Sequence, residues 1–115
     1  MKIVSRNNPL KHYLWCSQCD GWNLVDEQAL SVKLEHMPPY TEEALHVHQQ
    51  AQQFFFILKG EAVFEVDGTI NTIKAEEGIH ILAGESHRII NQSSDALHFI
   101  LCSHPTTIND RRNLS

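Results

Sequence analysis

His46-Val47-His48 puts two imidazoles two residues apart. On a β-strand side chains alternate between faces, so both rings would point the same way. Gln53 follows shortly after, and a third histidine, His87, sits far along the chain in Gly84-Glu85-Ser86-His87. On a facing strand it could meet the first two inside a small β-barrel. Three imidazoles and one oxygen donor suit a divalent transition metal (Zn, Ni, Fe or Mn) better than Ca or Mg.

Such a centre needs short, well-registered strands, and the rest of the chain has that pattern. Residues 29–37 alternate apolar and polar, as a half-buried strand does, and Pro38-Pro39 ends the run. Residues 45–48 carry the two histidines. Residues 53–58, Gln-Phe-Phe-Phe-Ile-Leu, are apolar on both faces, which predicts that both faces are covered. Residues 61–66 and 69–74 flank Asp67-Gly68, the pair favoured by a type I′ hairpin turn because both central residues need positive φ. Residues 79–82, 87–91 and 96–103 complete the series. Many short strands with almost no helical period predict an all-β sandwich or barrel. The last dozen residues read as an exposed tail or a short terminal helix.

On these residues the chain resembles a single-domain cupin. The family's first motif runs Gly, five residues, His-x-His, three or four residues, Glu, six residues, Gly; His46, His48 and Gly60 match, and Gln53 stands at the Glu position. The second runs Gly, five residues, Pro-x-Gly, two residues, His, three residues, Asn; Gly84, His87 and Asn91 match. The resemblance implies a double-stranded β-helix, or jelly roll, spanning 1–115 as one domain. Residues 1–28 would add flanking strands, residues 29–103 the barrel, and residues 104–115 the tail. It also implies a metal held by His46, His48, Gln53 and His87, and a homodimer. Phe55 and Ile57 share Gln53's face and would line the pocket, with Asn91 beside them. Tyr40, Glu76 and Leu82 depart from the motif at turn positions, and Gly78 is a candidate to do part of the work of residue 76.

Glutamine in place of glutamate bears on chemistry. A neutral donor set leaves the metal its full 2+ charge, which lowers metal affinity and favours an anionic ligand. The resemblance to the family implies a dioxygenase-like or isomerase-like activity, on a small and possibly anionic molecule. A non-catalytic ligand-binding or sensing module is the alternative. Arg88, next to His87, would point away from the metal, which argues against a sugar phosphate. Phe54 and Phe56 would face outward and suit a dimer contact.

Other features restrict the choice. The 115 residues carry a net charge of −5 with no block of Lys or Arg, so nucleic acid and anionic membranes are poor partners. No apolar run approaches the roughly 18 residues of a membrane span, and a cytoplasmic location is expected. Cys16-Ser17-Gln18-Cys19 has CxxC spacing but lacks a second ligand pair, so it reads as two thiols beside Trp15 and Trp22. His80 faces away from Ile79 and Ile81; the turn at 83–86 decides whether that side is the cavity.

Overall fold

The computed structural model describes residues 1–114 and is built of strands alone. They are β1 (Lys11–Trp15), β2 (Cys19–Asp26), β3 (Ser31–Met37), β4 (Thr41–Glu42), β5 (His46–Val47), β6 (Gln52–Lys59), β7 (Glu61–Val66), β8 (Thr69–Lys74), β9 (Gly78–Ile81), β10 (His87–Asn91), β11 (Leu97–His104) and β12 (Arg112–Asn113). One sheet runs β1-β2-β3-β11-β6-β9 and the other β12-β5-β10-β7-β8, with β4 on β10. All pairings are antiparallel. The two sheets face each other as the halves of a jelly roll.

Period-two alternation builds the core. Phe55 and Ile57 of β6, Ala62 and Phe64 of β7, Ile89 of β10 and Phe99 and Leu101 of β11 are buried between the sheets. Asp67 and Gly68 adopt φ of 47° and 84°, and Val66 pairs with Thr69, the two-residue hairpin that their types predict. At Gly60 (φ 94°) an added Cβ would lie 2.7 Å from the Ala96 carbonyl oxygen, so only glycine fits this crossing.

Three expectations are corrected here. Within residues 29–37, Ser31–Met37 form a strand, but the side that carries its charged residues faces inward: Ser31, Glu35 and Met37 are buried, while Val32, Leu34 and His36 lie on the outer face. Likewise β6 is covered on one side only, since Phe54 and Leu58 are each 43% exposed. Finally, the described residues after β11 are largely exposed, as expected of a tail, but they form no helix and are tied down. Arg112 and Asn113 pair with Val47 and His46 as an edge strand, and Asp110 accepts hydrogen bonds from the N–H groups of Gln49 (3.0 Å), Gln50 (3.1 Å) and Ala51 (2.9 Å). A charged side chain collects the free donors of the β5–β6 loop and straps this segment over it.

Candidate metal centre

His46 on β5 and His87 on β10 are direct cross-strand partners, with ring centroids 4.4 Å apart. His48, just past β5, returns to the same face, 5.0 Å from His46 and 5.6 Å from His87. One ring nitrogen from each lies within 4.8 Å of the other two. All three are buried, at 2%, 4% and 1% exposure.

Each ring is oriented by a backbone carbonyl. Nδ1 of His46 donates to Ala44 O (2.8 Å), Nδ1 of His48 to Asp110 O (2.8 Å) and Nδ1 of His87 to Glu85 O (3.0 Å). With the proton on Nδ1, the neutral imidazole presents a bare lone pair at Nε2. This is the arrangement in which metal-binding histidines are held. Burial keeps all three neutral by lowering their pKa values, His46 to about 3. The carbonyl bonds oppose that shift, and the nearby Arg111 guanidinium adds to it.

Gln53 enters from β6. Its Nε2 donates to Ser103 Oγ (3.2 Å), which leaves Oε1 3.0 Å from His87 Nε2. With the His87 proton committed to Glu85, two lone pairs face each other. A cation that both atoms can share satisfies them, so the donor set fits a divalent transition metal. The reversed amide, donating to His87 and accepting from Ser103, is the alternative that serves the site without a cation.

A cavity of about 220 Å³ opens beside His46, His48 and Gln53. Phe55, Trp15 and Leu101 form its apolar wall; Tyr13, Lys33, Glu35, Glu43 and Arg111 form its polar one. The Tyr13 hydroxyl donates to Glu35 Oε2 (2.5 Å), and the Lys33 ammonium lies 5.6 Å from the Tyr13 ring centroid. Glu43 accepts the Ile89 N–H (3.1 Å) and lies 3.6 Å from Arg111 and 3.9 Å from His46 Nδ1. Burial raises both carboxyls, Glu43 to about 8, against the pull of Arg111 on each.

His46, His48, Gln53 and Phe55 therefore meet at one cavity, with His87 immediately behind it. Two other expected pocket residues lie elsewhere. Ile57 is fully buried in the core, one strand repeat further along β6 than Phe55. Asn91 is also fully buried, but its Nδ2 donates to Met37 O, Pro38 O and Asp95 O and its Oδ1 accepts from Ser93, so it clamps loops. His80 is exposed and bonds Gln52 on the outer side. Cys16 and Cys19 are joined by a disulfide, which corrects the reading as two thiols, and Trp22 packs near His12. Arg88 points outward to Glu65 (3.0 Å), as expected. Lys33 and Arg111 nevertheless place cations at the cavity, where the direction of Arg88 had argued only against a sugar phosphate. Sequence reasoning missed Tyr13, Lys33, Glu35, Glu43 and Arg111; the one local signal was Lys33 and Glu35 alternating with apolar residues in a strand.

The chain matches the family model described as "Cupin domain" over residues 33–103 and belongs to the cupin family. It is 36% identical over 64 residues to an oxalate-binding protein of Thermotoga maritima, a stretch covering 56% of this chain and 53% of that protein. The chain thus spans about half the length of this curated relative. A structure described as a predicted oxalate decarboxylase, also from Thermotoga maritima, superposes with a TM-score of 0.72 at 27% identity, over 76% of this chain and 81% of the other. The polyketide cyclase RemF from Streptomyces resistomycificus gives a TM-score of 0.81 at 18% identity, over 100% and 86% of the chains, a likeness of fold alone.

Proposed function

We propose that the protein is a metal-dependent cupin that binds a small carboxylate and acts on it, with His46, His48, His87 and Gln53 Oε1 holding a divalent transition metal. One observation carries the reading: three buried imidazoles each give Nδ1 to a carbonyl, and one ring nitrogen of each lies within 4.8 Å of the other two. When bound, the metal supplies Lewis acidity toward an oxygen of the ligand. The protein residues do the rest. Lys33 and Arg111 offer positive charge to a carboxylate, and Phe55, Trp15 and Leu101 exclude water from the reacting end. The likeness to an oxalate-binding protein supports a small carboxylate as ligand.

Zinc and oxalate titrations test the reading. The stripped protein should bind one zinc, and the zinc form should bind oxalate in preference to a neutral analogue of its size. A His46→Ala/His48→Ala/His87→Ala variant that kept its zinc would overturn it.

Two further parts of the proposal concern assembly and compartment. The outer face of the β1-β2-β3-β11-β6-β9 sheet carries Phe54, Leu58 and Leu14, the last 72% exposed, and this face is the proposed homodimer contact. The cytoplasm is the proposed compartment. No described helix is long and apolar enough to cross a membrane. A Cys16–Cys19 bridge found oxidised in intact cells would count against that location.

A further inference from the structure

The cavity holds an acid–base pair that the three-histidine centre does not use. Glu35 is 6% exposed, points inward from β3 and lines the cavity. Its hydrogen-bond partner is Tyr13, not an imidazole. Tyr13 reaches it from β1, two strands away, because the intervening partner of both residues on β2 is Gly21. A Cβ at residue 21 would sit on the Tyr13 ring. Nothing in the folding of a sheet calls for a buried carboxyl here, and an apolar residue would be cheaper.

We propose that Glu35, backed by Tyr13, is the proton-transferring residue of this cavity, and that the substrate is a small 2-oxo carboxylate reacting by proton transfer at the carbon next to its carbonyl. The inference rests on the three imidazoles holding a metal. In the acid direction the Glu35 O–H bond breaks and its electron pair stays on the carboxylate. The electron pair of the substrate's enolate C=C takes the proton to form a C–H bond, and the enolate oxygen becomes the carbonyl. In the base direction the same atoms move in reverse, so no oxidant or reductant is needed. The Tyr13 hydroxyl and the Lys33 ammonium stabilise the carboxylate form. The charged and titratable groups that share the cavity with Glu35 are Tyr13 from β1, Lys33 from β3, Glu43, His46 and His48 around β5, and Arg111 before β12. Burial drives the carboxyl toward its protonated form, while Tyr13, Lys33 and Arg111 draw it back, which leaves it able to give and regain a proton.

The test uses the full chain loaded with zinc and two probes, pyruvate and oxalate. In D₂O the protein should exchange the pyruvate methyl protons faster than free zinc does, as followed by proton NMR. Glu35→Gln should lower that rate by about 100-fold or more while zinc still binds. Glu35→Asp, which keeps an acid, should retain part of the rate. Independently of turnover, ¹³C NMR of glutamate-labelled protein should show the Glu35 carboxyl resonance move on adding oxalate, and Tyr13→Phe should move it without ligand. Exchange no faster than free zinc, exchange at full rate in Glu35→Gln, or a Glu35 resonance blind to oxalate would overturn the proposal while leaving zinc and oxalate binding intact. Failure of the wild type to bind zinc would instead remove the metal reading and this inference with it.

Discussion

Tyr13 and Glu35 meet across a strand that contributes no side chain between them. The two flank Gly21 in register, and the tyrosine ring occupies the space a Cβ would fill. The glycine is thus a spacing device that brings a hydroxyl from the flanking hairpin into the cavity.

Gly21→Ala should push the ring off the strand and separate the pair. We expect a loss of about 1–3 kcal/mol, the usual cost of overpacking. The Tyr13 phenol, held up by burial and by Glu35, should titrate nearer its ordinary value. Denaturant unfolding and ultraviolet titration measure the two effects; an unmoved phenol would refute the spacing argument.

Stability of the metal-free protein should fall as pH rises from about 6.5 toward 8. The three buried histidines have lowered pKa values, so below 6.5 the unfolded chain binds protons the folded one refuses, and stability falls with pH. Glu35 and Glu43 have raised values, so above 4.5 the unfolded chain releases protons the folded one keeps. That contribution falls as pH rises, until about 8 for Glu43. Above 6.5 the histidine contribution is complete and the carboxyls act alone. Urea midpoints across pH 4–9 check this, and stability that kept climbing to pH 8 would contradict it.

Asp110→Ala should act at a distance. It strips the acceptor from three N–H groups and loosens the carbonyl that orients His48. A stability loss of about 1 kcal/mol is expected, with zinc affinity down about 10–100-fold. Calorimetric zinc titration reads the second effect.

Glu76→Gly should stabilise. Glu76 is exposed and adopts φ of 68°, a left-handed conformation that costs a side-chain-bearing residue about 1–2 kcal/mol. A raised melting temperature in thermal denaturation is the expected result.

Phe54→Lys places a charge in the outward apolar row of β6. If this face joins two copies, the variant should elute as a monomer in light-scattering chromatography while the wild type elutes as a dimer.

What was legible in the sequence had strong local chemistry behind it. His46, His48 and His87 were found because period-two geometry and motif spacing leave few other ways to use them. Asp67-Gly68 was found because few residue pairs suit its turn. The departures at Tyr40 and Glu76 mark real strain, since both hold positive φ where the motif has glycine. Gly78 does not take over that turn; it opens β9, under the Phe54 ring. The polar wall of the cavity was not legible. Glu35 and Lys33 look solvent-facing in a strand that alternates, and only the closed barrel turns that face inward. Arg111 reaches the cavity through long-range pairing, which no local pattern encodes. Ile57 and Asn91 share a face or motif with site residues, but depth along the barrel decides what touches the cavity.

The bond from His48 to Asp110 spans 62 residues. On the ribosome, the first two histidines therefore emerge long before the carbonyl that sets the tautomer of one of them. Until residues 110–113 dock against β5, that ring lacks the acceptor that fixes its tautomer. Ion capture would then be a late event in the protein's maturation, reserved for chains that have already closed.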